Sequence, residues 1–148
     1  MHSPTQPLIT SAPPQIPLID NHDSFTHLLG DLIWRAVGIS PTILPNNSPD
    51  LTASTLDNAD LIVISPGPGH PGVAEDIGAS TLAVQQETTP VIGVCLGHQA
   101  IALEAGARVE RATAPMHGLA SNVIHNSTGM FEGISSPMRV IRYHSLDV

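Results

Sequence analysis

Two stretches of this 148-residue chain carry residue types and spacings that suit chemistry. The first is Gly93-Val94-Cys95-Leu96-Gly97, which holds the only cysteine. The form G-x-C-x-G, after an apolar run and before a helical pattern, predicts a tight, strained turn that exposes the middle side chain. The small flanking glycines let the backbone bend that sharply. A cysteine there sits where the helix dipole and free N–H groups favour a thiolate, and the N–H of Leu96 can face an oxyanion. The competing reading, an ordinary cysteine buried between strand and helix, is disfavoured by the two glycines and the strand-turn-helix context.

The second stretch is Ser65-Pro66-Gly67-Pro68-Gly69-His70-Pro71-Gly72, with glycines at 67, 69 and 72 in the spacing of a dinucleotide fingerprint. Pro68 and Pro71 remove N–H donors that a pyrophosphate would need, and no acidic residue stands at the tip of the next strand. A nucleotide site is therefore not expected. The better reading is a stiff loop that offers a few N–H groups beside a neighbouring strand end, with a loop rigid only for packing as its alternative. Both stretches follow strands at their carboxyl ends, the edge at which open α/β sheets bind ligands.

The elements that must position these stretches alternate. Apolar runs at Ile16 to Asp20, Thr42 to Leu44, Leu61 to Ser65 and Pro90 to Val94 read as strands. Helical spacing at Ser24 to Val37, Leu51 to Asn58 and Gly97 to Ala105 reads as crossovers between them. In the first helix Phe25, Leu28, Leu29, Leu32, Ile33 and Ala36 form the expected buried stripe, with Asp23 or Ser24 as cap and Gly38 as stop. The continuously apolar Leu61-Ile62-Val63-Ile64 is expected to be a central strand covered on both faces. Leu119 to His125 and Arg139 to Tyr143, around Asn126-Ser127-Thr128-Gly129, are expected to pair antiparallel. The fold class is thus α/β, an open and mostly parallel sheet flanked by helices. Residues 1–15, rich in Pro, are expected to be a disordered tail, and residues 16–148 one partial domain.

Composition narrows the function. Aromatic residues make up 3 % of the chain, so the core must be aliphatic, and the formal net charge is −8 with no Lys at all. That excludes Schiff-base and Walker-type lysine chemistry and disfavours nucleic acid as a partner. A lone cysteine forms no internal disulfide or thiolate zinc cluster, and no apolar run reaches membrane-spanning length; the expectation is a cytoplasmic protein with no membrane association. The eight histidines are scattered, and no two of them form a helical i, i+4 pair with a carboxylate nearby, so no metal is expected. His98, His70 and His144 are conceivable partners for Cys95 but read better as loop or surface residues. His22 reads as shaping the first loop.

Five ordered motifs now carry a resemblance: Asp20-Asn21-His22-Asp23-Ser24-Phe25-Thr26, Ser65-Pro66-Gly67-Pro68-Gly69, Gly93-Val94-Cys95-Leu96-Gly97-His98-Gln99-Ala100, Met116-His117-Gly118 and Arg142-Tyr143-His144-Ser145-Leu146. Together they resemble the class I glutamine amidotransferases, and more narrowly the glutaminase component of anthranilate synthase and aminodeoxychorismate synthase. The resemblance implies a flavodoxin-like fold, no cofactor, L-glutamine as substrate and a chorismate-binding synthase subunit or fused domain as partner. It implies that Cys95 is the nucleophile and that the N–H groups of Gly67 and Leu96 form an oxyanion hole. Glutamine would be held by the Gly67-Pro68-Gly69 loop, Gln99, Ser145 and Leu146. Gly69-His70-Pro71-Gly72 before Glu75-Asp76, with Pro115-Met116-His117-Gly118, looks more like the aminodeoxychorismate side. The family's His-Pro-Glu segment has no counterpart among these residues, so the resemblance also implies little glutaminase activity for the 148 residues alone. The alternatives are a non-catalytic module that docks on a synthase and, more remotely, a hydrolase using Cys95 with Glu132 and His144.

Overall fold

A computed structural model describes residues 12–148, so the part of the expected tail over residues 1–11 lies outside the described residues. The chain forms two compact units, the first ending at Ile101 and the second spanning Ala102–Val148.

In the first unit, strands β1 (Pro17–Asp20), β2 (Thr42–Pro45), β3 (Ile62–Ile64) and β4 (Val91–Gly93) form a four-stranded sheet in the order β2-β1-β3-β4. Every neighbouring pair is parallel. Parallel strands need crossovers, and helices supply them: α1 (Thr26–Val37), α2 (Ala53–Asp57), the short α3 (Ala74–Ile77) and α4 (Ser80–Val84), with α5 (Leu96–Glu104) following β4. Because strand side chains alternate, the sheet feeds two cores. Ile19, Ile62 and Ile64 face Leu51, Leu56 and Ala83 on one side. Leu18 and Val63 face Leu29, Ile33 and Ile43 on the other. The run Leu61 to Ile64 is therefore an interior strand covered on both faces, as its unbroken apolar character predicts.

The expected stripe on α1 needs correction. Leu29 and Ile33 pack on the sheet, but Phe25, Leu28, Leu32 and Ala36 are exposed. The buried face is centred on Gly30, where an added Cβ would lie 3.6 Å from both Leu18 and Pro41, so the closest approach of helix to sheet falls at a residue with no side chain. Apolar periodicity does not register that position. The cap also differs. Phe25 is the N-cap residue and makes no side-chain cap bond. The Asp23 carboxylate instead accepts the Phe25 N–H (2.8 Å), while Thr26 Oγ1 donates to Asp20 (2.6 Å). Gly38 ends the helix in the left-handed conformation, as expected.

The second unit contains an antiparallel ribbon of β5 (Glu110–Val123) and β6 (Met138–Asp147). Both strands are longer than the sequence suggests. Between the Arg111–Leu146 and Met116–His144 pairs the register shifts, leaving residues 112–115 on β5 opposite Ser145 alone. No described helix is long and apolar enough to cross a membrane.

Ile62 is completely buried and Ile141 on β6 is 68 % exposed. Ile62→Ala is expected to destabilise by ~2–5 kcal/mol in urea unfolding, and Ile141→Ala by less than ~0.5 kcal/mol. Equal effects would contradict this assignment of the core.

Candidate active site

The C-terminal ends of β1, β3 and β4 lie side by side, and each continues into a short loop. After β4 the Val94 N–H donates to the Ile64 carbonyl (2.9 Å), extending the parallel ladder by one step. The chain then turns. Cys95 has φ 52°, a left-handed value that a cysteine adopts only under constraint, at a cost of ~1–3 kcal/mol. The Gly97 N–H returns to the Val94 carbonyl (3.0 Å) and the Gln99 N–H to that of Cys95 (2.9 Å), which starts α5.

The two glycines make this turn possible. A Cβ on Gly97 would come within 2.5 Å of the Ile64 carbonyl oxygen, and one on Gly93 would collide with the backbone of Gly97 and His98. The G-x-C-x-G stretch is thus a strained elbow between strand and helix, as its spacing predicts, and Cys95 is exposed rather than buried in the core.

The loop after β3 abuts the elbow. A Cβ at Gly67 would lie 2.5 Å from Cβ of Asn21 and 2.6 Å from Cδ2 of Leu96, so Gly67 fills the space between the loop after β1 and the first residue of α5. Gly69 has φ 85°, and a side chain there would run into the Asp76 carboxylate. That carboxylate accepts the His70 N–H (2.8 Å), and the Gly72 N–H donates to His70 Nδ1 (3.0 Å). Pro68 is exposed at the crest of the loop, and Gln99 is buried on α5 one turn beyond Cys95. The first unit therefore brings together Cys95, Leu96 and Gly67.

Ser145 and Leu146 lie in the second unit on β6, inside a strand rather than beyond one. The bulge opposite Ser145 leaves that residue without a directly facing partner in the ladder. His144 Nδ1 sits 3.1 Å from the Leu146 carbonyl and 3.1 Å from an Asp147 carboxylate oxygen.

The electrostatics of the thiol oppose spontaneous ionisation. Partial desolvation of the sulfur pushes the Cys95 thiol above its ordinary value, a hydrogen bond from the Leu96 backbone N–H draws it back down, and the nearby Asp23 carboxylate raises it again. The last contribution was not legible in the sequence, because Asp23 precedes Cys95 by some seventy positions and reaches it only through the pairing of β1 and β3 beside β4. Also missed were the buried polar residues behind the loop, Asn21, Asn46, Ser65 and Ser80. Among the described residues no group of three or more His, Cys, Asp or Glu side chains is placed to hold a metal ion.

An exposed thiol on a strained turn, with the Leu96 N–H beside it and a glycine loop packed against Leu96, can perform nucleophilic attack on a carbonyl and hold the resulting oxyanion.

Comparison with known proteins shows a family. Residues 17–148 match the family Glutamine amidotransferase class-I. The chain is 47 % identical over 131 residues to an aminodeoxychorismate synthase of Streptomyces griseus, a match covering 88 % of this chain and 18 % of that protein. It is 38 % identical over 136 residues to an anthranilate synthase component 2 of Saccharolobus solfataricus, covering 88 % of this chain and 69 % of the relative. A solved structure from Thermoplasma acidophilum, assigned as a GMP synthase subunit, superposes with a TM-score of 0.73 at 31 % identity over 90 % of this chain and 66 % of that one. The chain thus spans less than a fifth of the Streptomyces synthase and about two-thirds of the single-component relative.

Replacing Asp23 with Asn keeps an acceptor for the Phe25 N–H but removes the charge beside the thiol. The pH midpoint of Cys95 alkylation by iodoacetamide is expected to lie above that of a simple thiol in the wild type and to fall in Asp23→Asn, since loss of a negative neighbour favours the thiolate. An unmoved midpoint would show that this carboxylate does not act on the sulfur.

Proposed function

The chain belongs to the class I glutamine amidotransferase family, and from that premise we propose that its residues bind L-glutamine and cleave its side-chain amide through Cys95. The observation that carries this reading is the elbow itself, a strained Cys95 with the Leu96 N–H at its sulfur and Gly67 packed against Leu96.

Cys95 Sγ attacks the amide carbon of glutamine. The carbonyl oxygen takes up the negative charge between the N–H groups of Gly67 and Leu96. The C–N bond then breaks, ammonia leaves with the proton that sulfur gave up, and a glutamyl thioester remains for water to hydrolyse to glutamate. Gly67, Pro68, Gly69 and Gln99 line the glutamine side chain. Because the thiol is raised by desolvation and by Asp23, the attack requires a proton acceptor beside Sγ. The resemblance assigns that task to the histidine of the family's His-Pro-Glu segment.

The ammonia serves a chorismate-binding synthase, either a separate partner chain or a fused domain. Aminodeoxychorismate is the favoured product over anthranilate, supported by the higher identity to the Streptomyces griseus protein and by Gly69-His70-Pro71-Gly72 before Glu75-Asp76. The unpaired cysteine fits a cytoplasmic setting.

A chloroketone analogue of glutamine tests the reading. Mass spectrometry is expected to show Cys95 modified faster by this mimic than by iodoacetamide, with saturation kinetics and with protection by glutamine. Modification that glutamine does not slow would mean that these residues hold no glutamine pocket.

A further inference from the structure

The glycine loop that faces Cys95 is held at two separate points, and one side chain outside the loop joins them. Its base is fixed by Asn21. The Asn21 N–H donates to Ser65 Oγ (2.9 Å), and Asn21 Nδ2 donates to the Ser65 carbonyl (3.0 Å), two residues before Gly67. The Cβ of Asn21 is also what Gly67 packs against. Its far side is fixed by Asp76, whose carboxylate takes the His70 N–H and fills the space beside Gly69.

Asn46, the first residue after β2, bridges the two. Its Nδ2 donates to Asn21 Oδ1 (3.1 Å) and to the Asp76 carbonyl (3.0 Å). Its own backbone is pinned from both directions, with its N–H on the Asp20 carbonyl (2.9 Å) and its carbonyl on the Ala79 N–H (2.8 Å). Gly78, at φ 52°, has no room for a side chain because a Cβ there would lie 2.8 Å from the Asn46 carbonyl oxygen. Ser80 Oγ supplies a second donor to Asn21 Oδ1 (2.8 Å). Asn21, Asn46, Ser65 and Ser80 are all at most 2 % exposed.

Such a network is expensive to leave half-satisfied and rigid when complete. What the amides add is directional: two hydrogen-bonded clamps on either side of Gly67, tied to each other through one carboxamide. Oxyanion stabilisation requires donors held in place before charge develops, and a shift of a few tenths of an ångström in the Gly67 N–H weakens it.

We propose that Asn46 is a positioning residue for the proposed glutaminase reaction: through Asn21 and Asp76 it sets the Gly67 loop in register with Cys95. The inference rests on the amidotransferase reading of the same site. Asn46 touches neither substrate nor the reacting atoms, and its action is on the transition state rather than on binding of glutamine.

The glutamine chloroketone reads this directly. The Cys95 thiolate adds to the ketone carbonyl to give an alkoxide in the oxyanion hole. Chloride then leaves as sulfur shifts to the methylene carbon and the carbonyl re-forms, leaving a stable thioether. Asn46→Asp is isosteric but sets an acceptor against the two acceptors Asn21 Oδ1 and the Asp76 carbonyl. In the full chain it is expected to lower the limiting inactivation rate at least tenfold, while the half-saturating chloroketone concentration and the iodoacetamide rate stay within twofold. Ser80→Ala, which leaves the bridge intact, is expected to lower the limiting rate less than threefold. If Asn46→Asp lacks the wild-type thermal transition, Asn46→Ser, uncharged and with a single donor, carries the same expectation.

A limiting rate within twofold of wild type in a folded variant would overturn the proposal. So would a parallel change in half-saturation and iodoacetamide rate, which marks general damage. If the wild type itself shows no saturable, glutamine-protected labelling, the amidotransferase reading falls and this inference with it, whereas a normal wild type with an unaffected Asn46→Asp removes only the inference.

Discussion

The carbonyl of Ile64 is the point on which the chemistry of this fold turns. It closes the last rung between β3 and β4 by accepting the Val94 N–H, and Gly97 rests against it so closely that no side chain fits between them. The first contact fixes where β4 ends, and the second fixes how near α5 approaches the sheet. Between those two fixed points there is room only for a backbone that reverses through Cys95 at positive φ. The exposure of the thiol, its alignment with the Leu96 N–H and its nearness to the loop after β3 follow from the same short span, because Ile64 also opens that loop.

A parallel sheet suits this arrangement because its strand ends converge on one edge. β1, β3 and β4 deliver Asn21, Ser65 and Cys95 there, and β2 delivers Asn46. Each strand is only three or four residues long, so the helices and cores on both faces, rather than extended ladders, hold the edge in register. The apolar alternation of Leu18 with Ile19, and of Val63 with its two isoleucine neighbours, divides that task between the two faces.

Much of this was legible in the chain. Glycines at 93 and 97 around a cysteine, between an apolar run and a helical pattern, state the elbow almost completely, because the constraint is steric and local. The central place of Leu61 to Ile64 is likewise written in its unbroken hydrophobicity. Other features depend on partners distant in sequence and leave no local mark. The face that α1 buries was misjudged because its centre is Gly30, and the long ribbon of β5 and β6 was underestimated because its ends carry mixed rather than alternating residues. The bonds of Asn21 reach partners 25, 44 and 59 positions away, so neither asparagine announces its role by spacing. Asparagine at a strand end reads locally as a turn former, and only the assembled edge shows it as a strut.

The left-handed turn at Cys95 also has a bearing on how the chain acquires its reactivity. Gly93 and Gly97 permit that conformation locally, and the contact with Ile64, some thirty positions earlier and paired in the sheet with β1, holds it in place. Pairings of this kind form late in folding because long stretches of chain must close first. The left-handed geometry at Cys95 thus exists only where β1, β3 and β4 are paired, so that the exposed thiol is held by the sheet as a whole and not by its own segment.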